Sequence, residues 1–300
     1  MIVAVLGANG QLGSDIVRIA REFPHVETLG LTRKDLDVCE LASIPEVLAR
    51  KKFDVLVNCT SYHKTDEVEG RATQAFLINA HAVGTMARTC KARGGRFVHV
   101  STDYVFGGES KRPYTEADPP NPVNVYGASK LLGENVAVRE YAGGILIARV
   151  ASLFGVAGSS DKGGNFVETI LRKANVMTEV PVVNDITMSP TFSADAARVI
   201  LTLVEKEAPV GIYHIVNSGS ATWFEFAQEI VKRARMRVKI VPTTSAKYPT
   251  VAIRPAYTAL DNQKAAQIVG EIPDWRGGLH RYLLEKDRVQ LVQSGIPGIK

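Results

Sequence analysis

A tyrosine and a lysine four residues apart, Tyr126 and Lys130, stand near the start of a predicted helix. Residues at this spacing lie on one helix face, so the phenol and the ammonium are neighbours. A nearby cation favours the ionised phenol and lowers its pKa from an ordinary value of about 10. The pair is therefore expected to supply acid/base chemistry at a carbonyl group.

A strand end precedes this pair in the chain. The predicted strand 96–101 runs into Thr102 and Asp103, and a short loop rich in Pro and Asn leads on to Tyr126. Ligands of parallel α/β sheets bind at the carboxyl ends of the strands, so we expect Thr102 to lie beside the phenol. Its hydroxyl can hydrogen-bond the same carbonyl oxygen and hold it for proton transfer.

The same spacing recurs at Tyr282 and Lys286, in a segment with no such strand end before it. We interpret this second pair as a surface feature of a C-terminal helix.

Three glycines separate the first predicted strand, 2–6, from the first predicted helix. They lie in Gly7-Ala-Asn-Gly10-Gln-Leu-Gly13, with GxxGxxG spacing. Glycines at such a turn allow backbone N–H groups and a helix N-terminus to approach a pyrophosphate closely. The position and context predict a dinucleotide-binding loop.

The end of the second strand bears on the choice of dinucleotide. An Asp or Glu there selects the ribose diol of NAD, whereas an Arg accepts the 2′-phosphate of NADP. Here the strand ends Gly30-Leu-Thr32-Arg33, with no acid before Asp35. The sequence therefore favours NADPH, and NADH stays open.

Composition excludes several classes of protein. With 300 residues, 45% hydrophobic and 22% charged, the chain is an ordinary globular protein of one large domain or about two smaller ones. Basic residues number 36 against 31 acidic, and they are scattered, so no nucleic-acid or membrane partner is expected. Three cysteines without a CxxC pair suggest neither disulfides nor zinc. No signal peptide and no apolar run of about 18 residues is visible, so we expect a cytoplasmic protein.

Short β-branched runs alternate with helical patterns through the first half of the chain. We predict strands at 2–6, 27–31, 54–59, 96–101 and 145–150, and helices at 11–22, 43–51, 69–93 and 123–141. This alternation predicts an α/β fold with a Rossmann-like, doubly wound parallel sheet. Two sequences, Ser43 to Glu46 and Thr222 to Glu225, match the capping box of a helix start.

After residue 151 the alternation loosens, and residues 155–164 form a stretch rich in Gly and Ser. We predict a dinucleotide-binding domain over 1–155, completed by roughly 190–217, which contains a helix at 194–206 and a strand at 211–216. Residues 156–300 are expected to form mainly a smaller substrate-binding subdomain, with a helix near 275–286.

Taken together, several passages resemble the extended short-chain dehydrogenase/reductase family, and most closely its dTDP-4-dehydrorhamnose reductase branch. The resemblance runs nearly end to end, and the string from Ser101 to Gly107, STDYVFG, is its most specific part. The other passages are Gly7 to Gly13, Asn124 to Lys130, Gly164 to Phe166, Ser189 to Thr191, Gly211 to His214, Arg254-Pro255 and Leu260-Asp261.

The resemblance implies hydride delivery from NAD(P)H to the C4 carbonyl of a nucleotide-linked 4-keto-6-deoxy sugar. The catalytic residues that it implies are Thr102, Tyr126 and Lys130, with Lys130 also on the nicotinamide ribose. The cofactor-binding residues are Gly7, Gly10, Gln11, Leu12, Gly13, Thr32, Arg33, Asp37, Val38, Ser61, Tyr62, His63, Tyr126 and Lys130. The substrate-binding residues are Thr102, Asp103, Tyr126, Ser152, Asn165 and Arg254. The expected partner is this small nucleotide sugar, and a homodimer is left open.

The chain departs from the branch at two places near the expected site. Ser152 stands where the branch commonly has a tryptophan, and Asn58-Cys-Thr-Ser-Tyr-His63 replaces the usual Asn-Ala-Ala-Ala-Tyr-Thr. Acidic residues that hold magnesium in some members are not evident, although Asp15 occupies one of their places, so we expect no metal. We interpret His63 as a loop residue packed on the cofactor and His99 as a satisfied core residue.

Two other functions compete with the reductase. A nucleotide-sugar epimerase on the same fold could use the same tyrosine and lysine. A dehydratase is disfavoured, because Tyr104 stands where dehydratases carry a catalytic Glu. A non-catalytic NADP-binding regulatory subunit, resembling the beta subunit of methionine adenosyltransferase, is the alternative from another class.

Overall fold

The computed structural model describes residues 1–157 and 164–293. Within these residues the strands are β1 (Ile2–Leu6), β2 (Glu27–Leu31), β3 (Val55–Asn58), β4 (Arg96–Thr102), β5 (Ile145–Val150), β6 (Leu153–Phe154), β7 (Glu179–Val183), β8 (Thr187–Met188), β9 (Thr191–Phe192), β10 (Gly211–His214), β11 (Ala221–Thr222) and β12 (Lys239–Thr243). The α-helices are α1 (Gln11–Ile19), α2 (Ser43–Ala49), α3 (Thr65–Glu69), α4 (Ala72–Phe76), α5 (Ala82–Arg93), α6 (Val125–Tyr141), α7 (Phe166–Ala174), α8 (Ser193–Glu205), α9 (Trp223–Arg233), α10 (Gln263–Val269) and α11 (Trp275–Gln293).

The main sheet is parallel and, in the described part of the chain, has six strands in the order β10-β5-β4-β3-β1-β2. Residues of β3 and β5 are buried throughout, as expected when helices cover both faces. One hydrophobic cluster joins the sheet to α1 and α8, and another joins it to α2, α5 and α6. The doubly wound parallel sheet predicted from the sequence is confirmed.

The strand register determines where the site lies. Leu6 of β1 pairs with Asn58 of β3, and Asn58 pairs with His99 of β4. The segments that follow these residues therefore leave the sheet at one edge. The glycine loop, residues 59–63 and Thr102 all lie at that edge.

The single helix predicted over 69–93 is wrong. Gly70 and Arg71 separate α3 from α4, and a π-helical turn, Leu77–His81, precedes α5. Asn79 lies within this turn and is completely buried. Turns of this kind are frequent at functional sites, and here the Asn79 amide bonds groups outside its own helix.

The two predicted capping boxes have different outcomes. At α9, the Thr222 hydroxyl accepts from the Glu225 N–H and the Glu225 carboxylate accepts from the Thr222 N–H, so that box is confirmed. At α2 the box is wrong. The N-cap is Ala42, which makes no side-chain cap. The Ser43 hydroxyl donates to the carbonyl of Glu40 instead of accepting from a helix N–H.

Shorter strand pairs build the rest of the molecule: β7 with β12, β8 with β11, and β6 with β9. Strand β10 returns to pair with β5 at the edge of the main sheet, within the stretch 190–217. The division at residue 155 stays a prediction, and residues 158–163 of the Gly- and Ser-rich stretch lie outside the described residues. Across those described, no helix has the length and apolar character needed to span a membrane.

The interpretation of Tyr282 and Lys286 as a surface pair is wrong. Tyr282 is only 1% exposed, and its ring packs edge-on against Phe154 and Phe192. Its hydroxyl bonds Glu168, and the Lys286 ammonium pairs with the same carboxylate at 2.5 Å. The pair therefore anchors α11 on α7.

Candidate active site

The carboxyl end of β4 brings two buried polar side chains into the site. The Thr102 hydroxyl accepts from the N–H of Tyr104 at 3.2 Å and donates to Asp103 at 3.0 Å. Asp103 is 4% exposed, and burial raises the pKa of its carboxyl to about 6 despite hydrogen bonds from Thr258 and Thr102. Its Oδ2 has no hydrogen-bond partner among the described residues. A carboxyl oxygen of this kind is available to a ligand.

The start of α6 is pressed against the turn that follows β4. The Asn124 side chain caps the helix by accepting from the Gly127 N–H at 2.8 Å. A Cβ at Gly127 would lie 2.1 Å from the carbonyl oxygen of Tyr104, so only glycine permits this approach. The contact brings Tyr126 to the end of β4.

The Tyr126 phenol lies near the hydroxyls of Thr102 and Ser61, which both favour its ionised form. Its ring packs edge-on against Tyr104, with ring centroids 5.9 Å apart. Thus the structure brings together the phenol and the threonine hydroxyl that the sequence pairs, and it adds Ser61 from the segment after β3.

Burial raises the pKa of Tyr126 to about 12, and the Asp103 carboxylate adds to the rise. In the protein alone the loss of solvation outweighs the groups that favour the phenolate, and a lower pKa beside Lys130 and an oxidised nicotinamide stays a prediction. A phenol with this pKa keeps its proton at neutral pH. It can therefore act as a proton donor.

Lys130 is buried to 1% exposure. Its amine donates to the carbonyl of Val100 at 2.7 Å and lies 3.3 Å from Nε2 of His99. Burial lowers the pKa of the amine to about 8, while the Glu134 carboxylate opposes the fall. An amine with this pKa can gain and lose a proton near neutral pH.

Sequence reasoning missed Asn79. Its Oδ1 accepts from the Tyr62 N–H at 2.9 Å and from the Ser61 hydroxyl at 3.2 Å, and its Nδ2 donates to the Ser129 hydroxyl at 3.0 Å. One buried amide thus ties the segment after β3 to the helix that carries Tyr126. No sequence signal marks it, since it falls inside an apparently continuous helix.

The glycine loop is shaped for an anion. Gly7 has φ of +78°, and a Cβ at Gly13 would lie 2.2 Å from the Gly7 carbonyl oxygen. Helix α1 begins at Gln11, and no side chain caps its first N–H groups. Free N–H groups at a helix start attract a pyrophosphate. The side-chain oxygen of Gln11 is buried and has no partner within the described structure, so these residues fit a dinucleotide.

The polar groups at the end of β2 already have partners within the protein, which the sequence alone does not show. The hydroxyl and N–H of Thr32 both donate to Asp35 at 2.8 Å. The Arg33 guanidinium pairs with Asp37 at 3.0 Å. A phosphate at Arg33 would share the guanidinium with this carboxylate. Val38 is buried, and its contact with a cofactor stays a prediction.

The predicted substrate residues have different surroundings. Arg254 pairs with Asp66 at 2.7 Å, while its Nη1 is buried without a partner in the described part of the chain. Ser152 has φ of +42°, a strained backbone for a residue with a side chain. The Asn165 amide caps α7 and bonds the Gly155 carbonyl at 3.0 Å, so contact with a substrate would displace these bonds.

Two further residues that the sequence singled out have structural partners. Nδ1 of His63 lies 3.3 Å from the carbonyl oxygen of Ser61. Asp15 is buried against the Ser193 hydroxyl and pairs with Arg18 at 2.7 Å. No group of three potential metal ligands occurs among the residues described.

Comparison with known proteins identifies relatives along nearly the whole chain. The RmlD substrate binding domain family matches residues 1–288. A dTDP-4-dehydrorhamnose reductase of Burkholderia thailandensis is 37% identical, over 92% of this chain and 96% of its own. The spore coat polysaccharide biosynthesis protein SpsK of Bacillus subtilis is 35% identical, over 95% and 97%. A dTDP-4-dehydrorhamnose reductase of Bacillus anthracis, solved in complex with NADP, is 32% identical with a TM-score of 0.87, over 95% and 99%.

Proposed function

Because the chain belongs to the RmlD substrate binding domain family, we propose that it reduces the C4 carbonyl of a nucleotide-linked 4-keto-6-deoxy sugar with NADPH. The dTDP-4-dehydrorhamnose reductases among its relatives support this class of substrate. One observation carries the proposal, namely that the half-buried Tyr126 phenol lies near the hydroxyls of Thr102 and Ser61 at the carboxyl edge of the sheet.

The proton step belongs to three residues. Tyr126 donates its proton to the alkoxide oxygen that hydride addition creates at C4, which gives a hydroxyl group and leaves the phenolate. The Thr102 hydroxyl bonds the same oxygen and aligns it, and Lys130 supplies positive charge that stabilises the phenolate left behind. The high pKa of Tyr126 keeps the donor protonated before the reaction.

NADPH, when bound, supplies the hydride that reduces C4. Gly7, Gly10 and Gly13 form the turn that receives its pyrophosphate, with the N–H groups of Gln11 and Leu12 at the start of α1. Arg33 receives the 2′-phosphate, and the NADP complex of the Bacillus anthracis relative supports this choice over NADH. Ser61, Tyr62 and His63 line the cofactor toward its nicotinamide end.

The substrate contacts are assigned to Asp103 and Arg254, each of which has a buried polar atom without a partner in the described structure. Ser152 lies beyond the end of β5 on the same side of the sheet.

The domain division at residue 155, a homodimer and a cytoplasmic location are also part of the proposal. The three cysteines, all unpaired, support a reducing compartment.

Turnover with NADPH and a set of dTDP- and UDP-linked 4-keto-6-deoxy sugars tests the function. The proposal expects one NADPH oxidised for each sugar reduced, followed by nicotinamide absorbance. An epimerase would convert the sugar without net consumption of NADPH. A regulatory subunit would bind NADPH and leave every sugar unchanged. Either result would overturn the proposal.

A further inference from the structure

A buried chain of polar groups runs from Thr60 through Asn58 and His99 to Lys130. Asn58 and His99 are completely buried; Asn58 is the last residue of β3, and His99 lies in the middle of β4. Nδ2 of Asn58 lies 3.3 Å from Nδ1 of His99, and Nε2 of His99 lies 3.3 Å from the Lys130 amine. The order of donors along this chain determines which nitrogen of His99 carries a proton.

Thr60 fixes the orientation of the Asn58 amide. The backbone N–H and the hydroxyl of Thr60 both donate to Oδ1 of Asn58, at 3.0 and 2.6 Å. A backbone N–H can only donate, so the Asn58 atom that faces it is oxygen. The other end of the amide is therefore the NH₂ group, which donates to His99.

Since Nδ1 of His99 accepts this bond, it carries no proton. Burial and the charge of Lys130 hold the pKa of the imidazole well below its usual value, so the ring is neutral. A neutral imidazole with a bare Nδ1 carries its proton on Nε2. That N–H points at the Lys130 amine.

We propose that His99 is a positioning residue that presents an Nε2–H donor to Lys130 and thereby lowers the affinity of the Lys130 amine for its proton. A neutral amine accepts from His99 with its lone pair and still donates to the Val100 carbonyl. An ammonium would set one N–H against another. The functional meaning of this arrangement rests on the proposed function, in which Lys130 supports the phenolate of Tyr126.

Other groups act on the Lys130 charge as well. Glu134, one turn further along α6, favours the ammonium, as does the charged form of Cys59 after β3. Burial raises the pKa of the Cys59 thiol to about 12, so Cys59 is neutral at working pH. His99 thus opposes Glu134, and together with burial it keeps the amine able to release its proton near neutral pH. A lysine with its ordinary pKa of about 10.4 would keep its proton at neutral pH.

Nitrogen NMR of the histidine rings in the wild-type protein tests this directly, because it distinguishes protonated from bare ring nitrogens. His214 is an internal control, since its Nδ1 lies 3.1 Å from the carbonyl oxygens of Tyr114 and Asp261 and must donate. Contacts to Phe97 and Phe106 assign His99 and His214 respectively. We expect opposite tautomers, with the proton of His99 on Nε2 and that of His214 on Nδ1. A proton on Nδ1 of His99 would overturn the inference.

A variant pair supplies a second test. A carboxylate in Asn58→Asp would accept from Nδ1 of His99, move the ring proton there and leave Nε2 to accept from a Lys130 ammonium. NMR titration follows the Lys130 pKa in two backgrounds. Asn58→Asp in the wild-type background should raise this pKa by at least about one unit more than Asn58→Asp in the His99→Phe background does. Equal shifts in both backgrounds would show that the new carboxylate acts only through space, and would contradict the proposed role of His99. Neither measurement uses a sugar or turnover, so failure of the proposed function would leave both results standing.

Discussion

Glu134 holds the Arg149 guanidinium through two hydrogen bonds, at 2.9 Å to Nε and 2.7 Å to Nη2. Both side chains are at most 3% exposed, and the Ser101 hydroxyl donates to the same carboxylate at 2.5 Å. This pair joins α6 to β5, and Glu134 lies one helical turn after Lys130. It links the stability of the fold to the position of Tyr126 and Lys130.

Removing one partner of this pair should be costly. Glu134→Ala leaves a buried guanidinium without its countercharge, and such changes typically cost about 3–5 kcal/mol. Urea unfolding measures the loss. The control is Glu140→Ala, which breaks an exposed pair with Arg88 and should cost less than about 1 kcal/mol. Similar losses for both variants would mean that the buried pair has no special role.

The close approach of Gly13 to the loop predicts a specific loss of cofactor affinity. Gly13→Ala places a Cβ 2.2 Å from the Gly7 carbonyl oxygen, so the start of α1 must move away from the pyrophosphate. We expect NADPH affinity, by fluorescence titration, to fall by at least roughly tenfold, or about 1.4 kcal/mol. Gly143→Ala, where a Cβ meets nothing within 4 Å, should bind normally. Unchanged binding in Gly13→Ala would refute the assignment of the loop.

Arg33 should distinguish the two dinucleotides. Arg33→Ala removes a charge-assisted contact that only NADPH makes, typically worth about 1.5–3 kcal/mol. Because Asp37 shares the guanidinium, we expect the lower end of this range. Comparing the Kd of NADPH and NADH gives the difference, with Lys34→Ala as the exposed neighbouring control. An equal loss for both cofactors would leave Arg33 as a surface residue.

Asp103 should reduce stability at neutral pH. Its pKa in the folded protein is about 6, above the ordinary value of 3.8, so the folded state binds the proton more tightly than the unfolded state. Stability therefore falls as pH rises from about 4 to above 6. A shift of about two units corresponds to roughly 3 kcal/mol at most. Asp103→Asn should be more stable than wild type at pH 7.5, and this advantage should disappear near pH 4.

Asp118 provides the comparison of opposite sign. The Arg112 guanidinium holds the pKa of its carboxyl well below the usual range. Asp118→Asn should therefore lose stability above about pH 4, and the loss should shrink as pH falls below that value. Urea unfolding at several pH values measures both variants. The same pH trend in both would contradict the assigned burial of Asp103.

Strongly patterned elements could be predicted from the sequence because their signals are local. The strands at 2–6 and 145–150 are buried almost throughout and consist largely of apolar residues, and their bounds, like those of the edge strand at 27–31, agree with the structure. The glycine loop and the Thr102–Tyr126 pairing also follow from local spacing and from the rule that parallel strands end at one edge.

Features that depend on distant partners could not be predicted. The helix pattern of 69–93 contains no sign that Asn79 bonds Tyr62 and Ser129, which are distant in sequence. Tyr282 shares the spacing of Tyr126, yet its surroundings come from α7, more than 100 residues away. The raised pKa of Tyr126 likewise results from burial, which spacing alone does not reveal.

The steady-state turnover of Tyr126→Phe with NADPH and a nucleotide 4-keto-6-deoxy sugar tests the central claim most directly. The variant keeps the ring that packs on Tyr104 and loses only the hydroxyl, so folding and NADPH affinity should match wild type. Turnover should fall by roughly 10²–10⁴-fold, the usual effect of losing a general acid. Tyr248→Phe, which alters an exposed phenol, is the matched control and should retain full activity. A folded Tyr126→Phe protein that reduced the sugar at the wild-type rate would contradict the account.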